Sequence, residues 1–309
     1  MKLAAIGECM VEATLDRAGP FAGPARLGFG GDTLNTAVYA RRCLPECQAR
    51  VAYVTALGDD VFSDSMCAAW RDEGLDTDLV YRLAGRRPGF YAIAADARGE
   101  RRFYYWRGEA AARSLLEEGR DRALAARLQG FDTIYLSGIT LAILGEDGRG
   151  RLLALLRDLR RHGTVVAFDG NHRPALWPGP AAARAAYEAI GRLTDIALPT
   201  FEDEVGLQGD GRAEAAADRW LGWGAREIVV KLGAEGCAVF TPEGRAEVPG
   251  QPVETVVDTT AAGDSFNGAY LAARLLGETP MQAAARGCAL AAQVIQQPGA
   301  IVPTDRLAL

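Results

Sequence analysis

Residues 258–268, DTTAAGDSFNG, carry the side chains that moving a phosphoryl group onto a hydroxyl requires. Ala261, Ala262 and Gly263 are small enough for backbone amides to approach an anion closely. Residues 265–276 then read as a helix whose N-terminus faces that anion. Asp264 falls at the junction of loop and helix. A carboxylate there can cap the helix, or it can take the proton of an attacking hydroxyl beside a bound phosphate; this stretch alone leaves both roles open. A strand-like run, 253–257, leads into the loop. A second candidate lies near the start, where Gly28-Phe29-Gly30-Gly31-Asp32 opens a helix expected over 33–42 with Asn35 one turn inside. The Gly-Gly pair lets a ligand lie on bare backbone, and Asp32 and Asn35 share a helix face that suits a polyol. The same residues also read as a Gly-rich turn with an Asp cap.

Composition removes other chemistries. The 309 residues are 49% hydrophobic, so a large core needs neither metal nor disulfide. A net charge of -6 gives no footprint for nucleic acid. The six cysteines include no Cys-x-x-Cys pair, and with only His162 and His172 neither a zinc site nor an imidazole relay can be assembled. Glu8 interrupts the first apolar run, which is too short for a secretion signal, and no run approaches the roughly 18 apolar residues of a membrane span, so a cytoplasmic protein is expected.

The elements that position these residues alternate. Strands are expected at 3–7, 51–57, 133–137, 165–169, 196–198 and 227–231. Helices are expected at 61–73, 150–162, 181–193, 214–223 and 280–296. Such alternation specifies a doubly wound, mainly parallel α/β sheet with helices on both faces, in one domain spanning 1–309. Ligands in such sheets lie beyond the C-terminal strand ends, where Ser137, the Asp169-Gly170-Asn171-His172-Arg173 run, Thr200 and Lys231 all fall. KLGAEG at 231–236 resembles a phosphate-binding turn without Walker A spacing, and no G-x-G-x-x-G follows the first strand. Between 88 and 109 the period changes to two: 90–95 and 101–106 form a hairpin about Ala97-Arg98-Gly99. Its six aromatics exceed what a solvated hairpin hides, so one face covers a ligand or another subunit.

The Gly-Gly-Asp-x-x-Asn element at Gly30 to Asn35 and DTTAAGDSF at 258–266 resemble the ribokinase-like (PfkB) carbohydrate kinases. The resemblance runs the whole length. IGECM, GFGGDTLNTAVY, YVTALGDD, FYYWRGEAA and LSGITLAIL are most similar to the family's 2-keto-3-deoxygluconate kinase branch. It implies ATP-dependent phosphorylation of an acid sugar, with a small β-sheet lid from segments around 9–29 and 88–109; the aromatic excess of the hairpin adds the expectation of a dimer formed through that lid. Asp264 is implied as the base and Ala261, Ala262 and Gly263 as the anion hole. The sugar is implied to touch Gly31, Asp32, Thr33, Leu34, Asn35, Tyr91, Tyr104, Tyr105, Trp106, Arg107, Arg173 and Asp264. A guanidinium fork suits its carboxylate. The nucleotide is implied to touch Asn171, His172, Arg173, Thr200, Lys231, Gly233, Ala234 and Gly236 with the anion-hole loop. Mg²⁺ is implied with ATP, and K⁺ as a monovalent cation near Asp258 and Thr260. Two departures stand out: Thr200-Phe201-Glu202-Asp203 replaces the family's Asn-x-x-Glu, and Ala261 stands where many relatives have Gly, which matters if that position needs positive φ.

Overall fold

The computed structural model describes residues 1–15, 25–95 and 101–308. In chain order these form β1 (Lys2–Ile6), β2 (Met10–Leu15), β3 (Ala25–Gly30), α1 (Asp32–Cys43), β4 (Arg50–Leu57), α2 (Val61–Asp72), β5 (Val80–Arg82), β6 (Gly89–Ala95), β7 (Arg101–Trp106) and α3 (Arg120–Leu128). Then come β8 (Thr133–Ser137), α4 (Gly138–Ile143), α5 (Gly145–Arg161), β9 (Val165–Asp169), α6 (Pro180–Gly191), β10 (Ile196–Ala197), α7 (Phe201–Gln208) and α8 (Ala213–Trp223). The last are β11 (Glu227–Lys231), β12 (Gly236–Thr241), β13 (Gly244–Pro249), α9 (Ala262–Leu275) and α10 (Pro280–Val294).

Two sheets result. The large one runs β13-β12-β11-β10-β9-β8-β1-β4-β5 and is parallel except for the antiparallel β12 and β13. The chain builds outward from β1 to β5 on one side and from β8 to β13 on the other, so the order reverses between β1 and β8. Ligands of open α/β sheets bind beyond such a reversal. Strand β1 is buried on both faces from Leu3 to Ile6, as continuous apolar strands must be when helices cover both sides. Helix α1 lies over β1, and α5 lies over β9 with Leu152, Leu155, Leu156 and Leu159, one stripe at helical spacing. Among the described residues no helix is long and apolar enough to cross a membrane.

The small sheet has the order β3-β2-β6-β7. Tyr91 pairs with Tyr105, Ala92 with Tyr104 and Phe90 with Trp106, so side-chain alternation puts Tyr91, Phe103 and Tyr105 on one face and Phe90, Tyr104 and Trp106 on the other. Rings on the first face lie 5.8–6.4 Å apart. Phe29 anchors the sheet edge-on against Trp70 of α2. The Ala97-Arg98-Gly99 turn and residues 16–24 lie outside the described residues.

Two local expectations need correction. Residues 253–257 form no strand: the β12–β13 hairpin already ends that side of the sheet, Val257 N and Asp258 N both donate to the Ile295 carbonyl, and Val256 is half exposed. That hairpin follows the KLGAEG turn and went unread. Helix α9 begins at Ala262, three residues earlier than its apolar pattern indicates.

Candidate active site

Two helix N-termini meet side by side. Helix α9 packs on α1 at Gly268, where a Cβ would approach Tyr39 Cβ to 2.7 Å and the Thr36 carbonyl to 2.8 Å; only glycine permits that approach. Each helix carries an aspartate in its first turn, and neither is a cap. The N-cap residues are Gly31 and Ala261, without side-chain bonds. Asp264 instead accepts from Asn35 Nδ2 at 2.8 Å, and Asp32 accepts from Asn171 Nδ2 at 2.7 Å. The capping reading falls away at both positions: the carboxylates project from the helix ends rather than folding back on them.

Burial pushes the Asp264 carboxyl up to about 7, the neighbouring Asp32 and Asp169 push the same way, and Asn35 and Lys231 oppose. A carboxylate poised near neutrality is matched to accepting a proton from an alcohol in the transition state.

The loop before α9 is an anion nest. Ala261 lies in the left-handed region at φ 62°, ψ 16° and is followed by right-handed Ala262, the alternation that turns successive N–H groups to one point. The Ala262 N–H is committed to the Thr259 carbonyl at 3.2 Å, so the expected donor set shifts. Among the described residues no protein acceptor meets the N–H of Ala261, Gly263 or Asp264, so the expected set loses Ala262 and gains Asp264. The position did need positive φ, so alanine in place of glycine costs about 1–2 kcal/mol. The loop is pinned by Asp258, whose carboxylate accepts from Thr260 N and from Gly299 N, both at 3.0 Å; the turn at 298–300 thus returns to the loop.

The sugar-side residues divide. Gly31 is required, because a Cβ there would collide with the Glu8 carbonyl. Thr33 and Leu34 are fully buried: the Thr33 hydroxyl meets Tyr53 OH at 3.2 Å and Leu34 enters the core. Asp32 and Asn35, three apart, turn toward Asn171 and Asp264, whereas Thr33 and Leu34 offer no side chain to a ligand. Tyr91 donates its hydroxyl to Glu12. Tyr105 shares its face, while Tyr104 and Trp106 point the other way, so the four cannot line one ligand. Arg107 is clamped to Glu8, its Nε 2.8 Å from Glu8 Oε2, and Arg173 lies 4.0 Å from Asp203 with its side chain 54% exposed.

Among the residues expected to hold nucleotide, Thr200 bridges to Lys231 in parallel register, and Gly233 and Ala234 form an exposed single turn above β11. Gly236 must be glycine, since at φ 99° a Cβ would run into the Val248 carbonyl. Asn171 donates to Asp32 and adopts φ 37°, its own N–H held by Asp169 at 3.2 Å. His172 turns inward against Tyr187, 5.9 Å between rings, and burial lowers its affinity for a proton. Its ring packs edge-on against Tyr187. Lys231 is 7% exposed, with Nζ bound to Asp169 Oδ2 at 2.9 Å and Asn267 Oδ1 at 3.2 Å. Sequence reasoning missed Glu8, Asp169 as a network member and Asn267. Glu8 offered one unused signal, a lone acid at the end of an apolar strand beside the sheet reversal.

Residues 1–306 match the pfkB family carbohydrate kinase. The chain is 46% identical over 309 residues to the 2-dehydro-3-deoxygluconokinase of Escherichia coli K12, covering 99% of this chain and 98% of that protein. It is 47% identical over 308 residues to the enzyme of the same name from Dickeya dadantii, with the same coverage. The crystal structure of a PfkB protein from Polaromonas sp. JS666 superposes with a TM-score of 0.84 at 28% identity, covering 96% of each chain. With near-complete coverage on all three comparisons, and with the Gly30–Asn35 and Asp258–Phe266 elements brought side by side by α1 and α9, the chain belongs to the pfkB family of carbohydrate kinases.

Proposed function

We propose that the protein transfers the γ-phosphoryl group of ATP to the 6-hydroxyl of 2-keto-3-deoxygluconate. Asp264 takes the hydroxyl proton as the new O–P bond forms and the β–γ bridging bond breaks, and ADP leaves with the bridging oxygen. The Gly263 and Asp264 amides and the α9 N-terminus receive the charge of the transferring group. The observation that carries this reading is Asp264 itself, in the first helical turn, held by Asn35 rather than spent as a cap. Full-length relatives at 46–47% identity carry the substrate's name. The lid formed by the small sheet belongs to this proposal, as does the assignment of sugar to the α1 side and nucleotide to the β11 side.

Mg²⁺ bound with the nucleotide would neutralise phosphate charge. The donors fit an ion held chiefly by phosphates and water: Glu202 is exposed, 3.9 Å from the place of a Cβ on Gly233, whereas Asp203 already accepts from His172 N at 3.0 Å. Glu202 is therefore the residue to hold it. A monovalent cation such as K⁺ fits less well, because the Asp258 carboxylate already accepts two backbone N–H groups.

A panel of acid and neutral sugars with ATP tests the substrate. Keto-deoxy acids should turn over well above neutral hexoses; fructose or glucose reacting with a similar kcat/KM would overturn the acid-sugar reading. Arg173, exposed and only loosely tied to Asp203, is the available fork for the carboxylate. Arg173→Met should raise the sugar KM by roughly 10–100-fold, the value of a hydrogen-bonded charge pair, with ATP KM little changed. An unchanged sugar KM places the carboxylate elsewhere.

Self-association through the small sheet is part of the same proposal. Tyr104 is 48% and Trp106 62% exposed on one face, a surface that an isologous partner would cover. Tyr104→Lys with Trp106→Ser should weaken self-association in sedimentation and raise sugar KM. A fully active monomer at low micromolar concentration would refute it.

A further inference from the structure

A lysine with its ammonium inside a protein must be paired, and the pairing of Lys231 shows where its charge acts. Strand β11 ends at Lys231 in the interior of the large sheet. Asp169 Oδ2, at the end of β9, accepts from both Lys231 Nζ at 2.9 Å and Asn267 Nδ2 at 2.6 Å. Asn267 returns its Oδ1 to Nζ at 3.2 Å and donates to Tyr135 OH at 3.1 Å. Asn267 stands three residues after Asp264, one turn further along α9 on a neighbouring face. A Cβ built on Gly263 would lie 3.5 Å from Nζ, so the ammonium rests against the backbone of the anion loop.

The charges that face Asp264 come from three elements: Asp32 from α1, Asp169 from β9 and Lys231 from β11, with neutral Tyr39 of α1 and Tyr135 of β8 nearby. Two are negative and one is positive. We infer that Lys231 is a positioning residue of the transfer site: Asp169 and Asn267 hold its ammonium under the first turn of α9, where its charge offsets the carboxylates crowded around Asp264. Its role is exerted through Asp264 and the loop, in place of the direct nucleotide contact implied by the family resemblance. Lys231 favours the ionised form of Asp264, so loss of the cation should make that carboxyl harder to ionise.

The experiment is the pH dependence of kcat/KM for the sugar at saturating ATP in wild type, Lys231→Met and Lys231→Arg. The acid limb should move up by about one pH unit in Lys231→Met, a loss of about tenfold below the limb that is largely regained at pH 9, and Lys231→Arg should return the limb toward wild type. A uniform loss at every pH with an unmoved limb overturns the inference, as does a raised ATP KM with an unmoved limb. If Lys231→Met does not fold, Lys231→Gln, which keeps a donor for Asp169, carries the same expectation. The inference rests on Asp264 as the base, and the two failures are distinct. An active Asp264→Asn sinks the base itself, whereas an inactive Asp264→Asn beside a Lys231→Met without a shifted limb sinks only the role of Lys231.

Discussion

Asp264→Asn should lower kcat by about 10²–10⁴-fold, the range for loss of a general base, while sugar and ATP still bind. Asparagine keeps the size and can still accept from Asn35, so the arrangement of α1 and α9 persists without a proton acceptor. Activity within threefold of wild type would remove Asp264 from the role. The same residue sets two pH dependences. With the carboxyl raised by burial to about 7, wild-type kcat/KM should climb through an acid limb near neutrality as Asp264 ionises. For stability the sign is opposite. A carboxyl raised above its ordinary 3.8 contributes fully below that value, and its contribution is lost as pH rises to about 7. Asparagine has no charge to force into the site, so the variant should melt above wild type at pH 8, with the gap closing toward pH 4. Calorimetry across that range checks it, and a variant less stable than wild type at pH 8 contradicts it. A site that is uncomfortable until substrate arrives is the usual relation between activity and stability.

Arg107→Met should destabilise the protein by about 3–5 kcal/mol, the cost of breaking a buried ion pair from one side. Glu8 is 2% exposed, the Arg107 side chain is 12% exposed, and Nε and Nη2 of Arg107 both donate to Glu8 Oε2. Burial already pushes the Glu8 carboxyl up, and Arg107 opposes that rise. Without the guanidinium the carboxylate is stranded. The loss should therefore be smaller at pH 5, where Glu8 is free to protonate, than at pH 8. Glu8→Gln with Arg107→Met should recover most of it, because both charges leave together. Urea unfolding of the two single variants and the double variant gives the coupling. A loss under 1 kcal/mol in Arg107→Met would mean the pair does not anchor the small sheet. A sugar KM still raised in the restabilised double variant would assign Arg107 a direct hold on substrate as well.

Much of this molecule is legible in its sequence because the physics is local. The short apolar runs at 133–137, 165–169 and 227–231, ending in Ser, Asp and Lys, read as buried parallel strands, and the candidate site gathers at their C-terminal ends. The illegible parts depend on partners far along the chain. Lys231 and Asp169 stand 62 residues apart, and no spacing rule says that the lysine turns under the loop rather than out to a ligand. The family resemblance implies Thr33 and Leu34 beside Asp32, yet a helix turns about 100° per residue and carries them into the core. The run at 253–257 has β-branched residues without a strand to pair with, and propensity alone cannot make a ladder. Whether an alanine at 261 is benign depends on a single backbone angle, which side-chain chemistry does not encode.

The hook formed by residues 299–302 bears on how the protein is made. Gly299 N pins Asp258, while Tyr39 OH donates to the Ala300 carbonyl at 2.7 Å and accepts from Val302 N at 3.1 Å. One short segment thus fastens both the anion loop and α1, which was synthesised some 260 residues earlier. Translation delivers the chain N-terminus first, so β1, β4 and α1 can pair on the ribosome while the fastening is still unmade. The anion loop and α1 can therefore be fastened only after the strands from β1 to β13 have been made.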